Sequence, residues 1–187
     1  MIKSKVRLDL FDKKKNLDRG KPFIVEAIWH IMKMIFFLSY FPWPQKLKAS
    51  ILTLFGAKVG KGVNFQPNIN IHFPWRLEIG DYSWVGINSI LLNFEKLKIG
   101  SNVAIAHNVF LCCGNHDFRD ITYSYKNQPI IINDGVVIGS NVFVAPNVEI
   151  GIDSVITAGS VVLKSIPSNM ICSGNPCVPI KKRWKDE

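Results

Sequence analysis

The apolar positions of this chain recur every six residues, rather than every two or every 3.6. Ile132, Ile138, Val144, Ile150, Ile156 and Val162 stand six apart. A small residue often follows each, as at Gly139, Ala145, Gly151 and Thr157. Two positions ahead of the next aliphatic comes another small or branched side chain: Val136, Val142, Val148, Ser154, Ser160. The pattern also runs upstream through Ile79-Gly80, Val85-Gly86 and Leu91, then Ile99-Gly100, Ile105-Ala106 and Leu111. A weaker start is visible at Val59-Gly60 and Phe65. A helix would scatter such positions around its axis, whereas short strands joined by tight corners keep them on one side. Gly80-Asp81, Gly100-Ser101-Asn102 and Gly139-Ser140-Asn141 have the residues for those corners. The pattern predicts an all-β solenoid, its coils hydrogen-bonded along their strands and filled by one aliphatic column per face.

The register breaks twice. Ile79 to Ile99 is 20 residues and Leu111 to Ile132 is 21, against the 18 of a three-sided coil. The second break predicts a loop, and it holds Gly114-Asn115-His116-Asp117. Ahead of the repeats the pattern changes. Residues 23–44 are apolar, interrupted by Glu26, His30 and Lys33 and ended by Pro42 and Pro44. The uncharged run from Met34 to Trp43 is about half the length needed to cross a bilayer, so no transmembrane helix is expected. A helix packed on the main domain or on a neighbouring subunit is one reading. An interfacial helix facing anionic lipid is the other. The chain thus divides into an N-terminal extension with an apolar helix (1–55) and a repeat domain with its tail (56–187).

Length and composition fit one folded domain, and the mixture of apolar and charged residues argues against disorder. The formal charge is +9, its basic residues gathered in 3–21, 46–61 and 181–185. That suits an anionic cofactor or lipid surface. Nucleic acid is not expected, since no DNA- or RNA-binding motif accompanies the charge. Cys112, Cys113, Cys172 and Cys177 show no metal-ligand spacing and read as small apolar residues of a reducing cytoplasm. The charged first twenty residues do not read as a cleavable signal peptide.

Several segments carry a resemblance. Residues 54–63 (LFGAKVGKGV), 73–81 (FPWRLEIGD), 114–117 (GNHD) and 173–177 (SGNPC) are similar to motifs of the hexapeptide-repeat acetyltransferases. Within that family the chain resembles most the colanic-acid-biosynthesis acetyltransferase-like group, from about Trp29 onward. The resemblance implies a left-handed parallel β-helix, a cyclic homotrimer with clefts between subunits, acetyl-CoA as acyl donor and no metal. It implies O-acetylation of a sugar hydroxyl during surface polysaccharide assembly, in the cytoplasm or at the inner face of the membrane. A nucleotide- or lipid-linked sugar fits the basic N-terminal half. N-acetylation of an amino sugar, or a non-catalytic trimeric scaffold, are the alternatives.

Transfer from a thioester to an alcohol needs a base, and imidazole, with an ordinary pKa of about 6.5, takes protons at neutral pH. The resemblance assigns that role to His116. Asp117 is a candidate to orient the ring, and Asn115 a candidate turn residue or oxyanion donor. The resemblance also places coenzyme A against Ser140, Ala158 and Lys164, with Gly139 and Gly159 permitting close backbone approach. Lys181, Lys182 and Arg183 are candidates for its phosphates. Two positions depart from the galactoside-type enzymes: Val137 stands where they carry tryptophan, and Gly86 where they carry an acceptor-binding asparagine. Trp84, Asn88 and Asn93 are the acceptor-side candidates. A three-histidine zinc site of His72, His107 and His116, as in the γ-class carbonic anhydrases, is the rival arrangement. Cys112 and Cys113 beside the loop are read as packing rather than catalytic.

Overall fold

The computed structural model describes residues 4–12 and 17–185. Lys3 and the lysines at 13–15 of the basic N-terminal stretch lie outside the described residues. Two helices precede the repeats: α1 (Phe23–Phe36) and α2 (Gln45–Leu54). Each follows a proline, Pro22 and Pro44, whose fixed φ prepares the first turn. The apolar segment 23–44 holds α1, and Pro42 and Pro44 separate it from α2, a second helix that the sequence pattern does not mark.

The repeats then wind as coils of three short strands. The first coil is β1 (Lys58–Val59), β2 (Asn64–Phe65) and β3 (Asn70–Ile71). The second is β4 (Leu77–Ile79), β5 (Trp84–Val85) and β6 (Ile90–Leu92). The third is β7 (Leu97–Ile99), β8 (Ala104–Ile105) and β9 (Phe110–Cys112). The fourth is β10 (Ile130–Ile132), β11 (Val137–Ile138) and β12 (Phe143–Val144), and the fifth β13 (Val148–Ile150), β14 (Val155–Ile156) and β15 (Val161–Val162). In a last partial coil, Ile166 bridges to Ile150 and β16 (Met170–Gly174) joins β14. β17 (Cys177–Lys182) then folds back antiparallel on β16 and closes the end. Corresponding strands of successive coils pair in parallel, giving the three sheets of a left-handed β-helix prism. The weak repeat at Val59 and Phe65 is a real first coil: β1 pairs with β4 and β2 with β5.

The coil register locates the insertion. Ile130, Leu97 and Val148 share one sheet; Ile130 pairs with Val148, 18 residues on, and with Leu97, 33 residues back. Leu111 and Ile132 lie on consecutive faces, so their spacing should be compared with one six-residue step and not with a whole coil. The break there is therefore an insertion of 15 residues, larger than the sequence comparison with 18 implied.

Inside the prism the column of Val85, Ile105, Ile138 and Ile156 is at most 3% exposed, and the other two faces are filled in the same way. The corners bend through Asn68, Asn88, Asn102, Asn108, Asn141, Asn147 and Asn169, all with φ between 56° and 62°. Asparagine tolerates this left-handed region better than most residues, which explains its repetition. Some corner amides also bond up the stack, as Asn68 Nδ2 does to Asn88 Oδ1 at 2.9 Å. Ile138 lies midway along its column, 0% exposed. Ile138→Ala should cost about 2–5 kcal/mol, read as a lowered urea midpoint with unchanged slope.

Candidate active site

The insertion is not a slack loop. Gln128 N donates to Cys113 O, Lys126 N to Asn115 O, and Asp117 N to Ser124 O, so its two limbs run against each other as a ladder. At its tip Asp120 accepts from Thr122 N and Oγ1 and from Ser124 N. A side-chain hydrogen bond with Ser124, the largest cause, and then the bonds from Thr122 pull the Asp120 carboxyl down to about 2. The turn they organise puts Tyr123 at φ 56° and aims its carbonyl at the histidine.

His116 Nδ1 lies 2.7 Å from Tyr123 O. A carbonyl oxygen only accepts, so in the neutral ring Nδ1 carries the hydrogen and Nε2 keeps the lone pair. The ring is held between aromatic faces. Tyr123 stacks at 4.5 Å and 11°, Tyr125 lies at 4.6 Å, and Phe11 of the N-terminal segment at 5.5 Å. That segment is tied to the insertion by Arg7 N donating to Ile121 O. Asp120, Tyr123, Tyr125 and Phe11 were all missed from sequence. A local signal existed only for Asp120, whose spacing to Thr122 and Ser124 suits an Asx-type turn.

Asp117 does not orient the imidazole. Its Oδ1 accepts from Arg119 N and its Oδ2 faces Lys126 Nζ at 3.7 Å, so the carboxylate shapes the turn while a backbone carbonyl holds the ring. Asn115 Oδ1 accepts from His116 N at 2.8 Å, leaving the side-chain NH2 as the donor that Asn115 can offer. Asp120→Ala should lower kcat about tenfold by loosening the carbonyl that fixes Nδ1–H, without changing acetyl-CoA affinity. Equal losses in kcat and donor affinity would point instead to a collapsed loop.

The small-residue cofactor-side candidates occupy a different edge of the prism. His116 follows β9 and precedes β10, between the third and first sheets. Gly139 and Ser140 follow β11, and Ala158 and Gly159 follow β14, so both pairs turn between the second and third sheets. These corners stack, with Gly159 N donating to Ser140 O at 2.8 Å. Ala158 and Gly159 are exposed, and nothing lies within 4 Å of where a Gly159 Cβ would stand. A Cβ at Gly139, by contrast, would stand 2.5 Å from Ala158 N, so that glycine serves the stacking of the coils and Gly159 is the open position of this edge. Lys164 is exposed beyond β15, on the His116 edge, and Lys181 is exposed on β17. Arg183 is tied to the body on one side: its Nη1 donates to Gly135 O and Asp153 O, and its guanidinium lies over Trp184. It fastens the tail to two corners.

On the acceptor side, Trp84 is exposed on β5. It lines a groove of about 470 Å³ with Gly86, His107, Val137 and Gly139, which brings an acceptor candidate beside a cofactor candidate. A Cβ at Gly86 would stand 2.3 Å from Ala106 O, so the asparagine of the galactoside-type enzymes has no room at this corner. Asn88 Oδ1 is taken by Tyr40 Oη–H and Asn68 Nδ2. Asn93 is fully buried; its Oδ1 accepts from His72 N and Phe73 N, and its Nδ2 donates to Phe73 O. It therefore shapes the His72 turn rather than touching an acceptor.

The histidines of the rival zinc arrangement have separate settings. His107 Nδ1 accepts from Ile87 N, while His72 Nδ1 is buried without a partner. Among the described residues no three His, Cys, Asp or Glu side chains converge to hold a metal. Burial pushes the Cys113 thiol up to about 12 and raises Cys112 as well, opposing thiolate chemistry there.

A second cavity, of about 230 Å³, lies between α1 and the solenoid, lined by Arg19, His30, Lys33, His72, Phe94 and Tyr125. Burial, then the charge of Lys33, lowers His72 from 6.5 to about 4. The folded protein thus holds this ring neutral while the unfolded chain protonates it near its ordinary value. Stability should be lost as pH falls from about 6.5 towards 4, and His72→Asn should flatten that part of the melting-temperature profile. An unchanged slope in the variant would assign the acid sensitivity to other groups.

No protein-family model matches the chain, but individual relatives do. It is 38% identical over 180 residues to the putative colanic acid biosynthesis acetyltransferase WcaF of Escherichia coli K12, covering 95% of this chain and 97% of that one. A maltose O-acetyltransferase structure from Clostridium difficile 630 superposes with a TM-score of 0.79 at 30% identity, over 91% of this chain and 94% of the other. A galactoside acetyltransferase in complex with coenzyme A gives 0.76 at 27% identity, over 86% and 82%. An interrupted six-residue repeat, a histidine set in the interruption and relatives matched over nearly their full length lead to one assignment: the chain belongs to the hexapeptide-repeat acetyltransferases, acyltransferases that use acetyl-CoA.

Proposed function

We propose that this protein is an O-acetyltransferase acting on a sugar hydroxyl, with His116 as general base, in the assembly of a surface polysaccharide. The observation that carries the reading is the 2.7 Å contact of His116 Nδ1 with Tyr123 O, because it leaves Nε2 as the basic atom. Bound acetyl-CoA supplies an acetyl group activated as a thioester. His116 Nε2 takes the proton of the acceptor hydroxyl as its oxygen bonds to the acetyl carbon. As the carbon–sulfur bond breaks, the same nitrogen returns the proton to sulfur, so thiol and ester are the products. The Asn115 NH2 or a backbone amide stabilises the negative charge that develops on the carbonyl oxygen.

The active unit is a homotrimer. His116 and the Gly139–Ser140 and Ala158–Gly159 corners stand on different edges of one prism, so a cleft between two chains is what joins them. The sugar acceptor is supported by the WcaF, maltose and galactoside relatives, whose names all point to saccharide chemistry. The test is release of free thiol from acetyl-CoA across a panel of neutral sugars and amino sugars. Release with hydroxyl acceptors supports the reading. Release with amines alone makes it an N-acetyltransferase. Absence of release, together with no thermal stabilisation by acetyl-CoA, leaves a non-catalytic scaffold and overturns it.

A further inference from the structure

α1 is apolar on two faces, more than a helix that merely covers a core requires: Trp29, Met32 and Phe36 pack inward on the core. Its charged residues turn inward. Lys33, 6% exposed, donates to Asn70 Oδ1, and Glu26 pairs with Arg19. A second set of apolar residues turns outward. Ile24, Ile28, Ile31 and Ile35 follow one another at helical spacing and are 64%, 48%, 57% and 46% exposed. This is a single stripe along the helix. Phe23 and Met34 widen it, and Tyr40 and Phe41 extend it beyond the C-terminus, all exposed. Among the described residues no helix is long and apolar enough to cross a membrane. The 14 residues of α1 span about 21 Å and lie along the body rather than projecting from it.

The charge of the chain selects what covers this stripe. Residues 1–61 contain 13 Lys and Arg against four Asp and Glu, whereas residues 62–187 contain ten of each. The whole net charge of +9 therefore belongs to the segment that includes α1 and α2. Lys21 and Lys46, both exposed, stand just before α1 and within α2. A second copy of the chain docked through this stripe would bring the same basic segment against itself. An anionic bilayer complements both features, taking the isoleucines into its interfacial layer and the lysines at its headgroups.

We propose that the outward face of α1, with the Ser39–Pro44 turn, seats the protein on an anionic lipid surface without crossing it. The inward face of α1 walls the cavity that Tyr125 shares, and Tyr125 packs on His116. The helix thus stands between the lipid surface and the catalytic loop, a position suited to an acceptor carried on that surface. That last step rests on the acetyl transfer proposed above; the docking does not.

The test is co-sedimentation of the full chain with phosphatidylglycerol-rich vesicles and with vesicles of phosphatidylcholine alone. Binding is expected to the first only, and to fall steeply as salt rises to about 0.5 M. Ile28→Glu/Ile31→Glu should weaken it at least about tenfold while thiol release with a soluble acceptor stays unchanged, since both side chains are exposed and neither lines the cavity that Tyr125 shares. Absence of binding, equal binding to both vesicles, or full binding by the double variant would overturn the proposal. So would a double variant whose sedimentation shows a lost subunit contact, because the face would then be covered by a second copy. An inactive protein that still binds vesicles would sink the catalytic reading and leave the docking standing.

Discussion

His116→Ala is expected to lower kcat for acetyl transfer by about 10²–10⁴-fold, the range that a positioned general base contributes. Affinity for acetyl-CoA should stay near that of the parent protein, because the Gly139–Ser140 and Ala158–Gly159 corners lie on another edge of the prism. A loss confined to kcat identifies an interaction made in the transition state, whereas a loss in donor affinity alone identifies uniform binding. His116→Gln is the sharper variant: an amide preserves a polar side chain in the Tyr123–Tyr125 sandwich but cannot take the proton. It should be nearly as slow. Asp117→Asn should be mild by comparison, since that carboxylate meets Arg119 N and Lys126 rather than the ring. The measurement is steady-state thiol release with acetyl-CoA varied at fixed acceptor, and turnover within a few-fold of the parent in the alanine variant would end the mechanism.

The sequence made the β-helix legible because its signal is repetition. Each aliphatic from Ile132 to Val162 is a statement about the same backbone geometry, and Ile138, Val144 and Ile150 are all fully buried. The site was legible only in part. His116 stood out because the repeat fails around it. What holds it is a carbonyl, and backbone atoms leave no mark in a residue pattern: Tyr123 could only be placed once the turn around Asp120 was known. Asp117 misled because adjacency in sequence says nothing of direction in a turn. The structural ties of Asn93 and Arg183 were hidden for another reason. Both have polar groups suited to a ligand, and both bond to backbone carbonyls or amides a coil or more away, contacts that appear only after the coils stack. The inward setting of the charged residues of α1 was hidden for the same reason. Glu26 and Lys33 read as interruptions of an apolar segment until Arg19 and Asn70 supplied their partners.

Trp29→Ala is expected to have the largest effect on stability, about 3–5 kcal/mol. The indole is 1% exposed, packs against Phe37 and Phe55 at 5.4 and 5.3 Å, and donates Nε1–H to Ile71 O at 3.1 Å. Truncation removes that surface and leaves a cavity against the first coil, where β3 has no strand on its outer side. A solenoid end exposes a layer that has no next repeat, so its cap is needed for the neighbouring coil to stay formed. α1 cannot compensate alone: a 14-residue helix is marginal in water without tertiary packing. At roughly 2–4 °C per kcal/mol, the melting temperature should fall by on the order of 10 °C. Trp29→Phe separates the two contributions. It keeps most of the packing and loses the hydrogen bond to Ile71, so it should cost only about 1–2 kcal/mol. Hydrogen exchange should then locate the damage, with faster exchange in β3 and α1 and no change in β11 and β14. Uniform acceleration along the whole solenoid would mean that the coils unfold as one unit and that α1 is no separate cap.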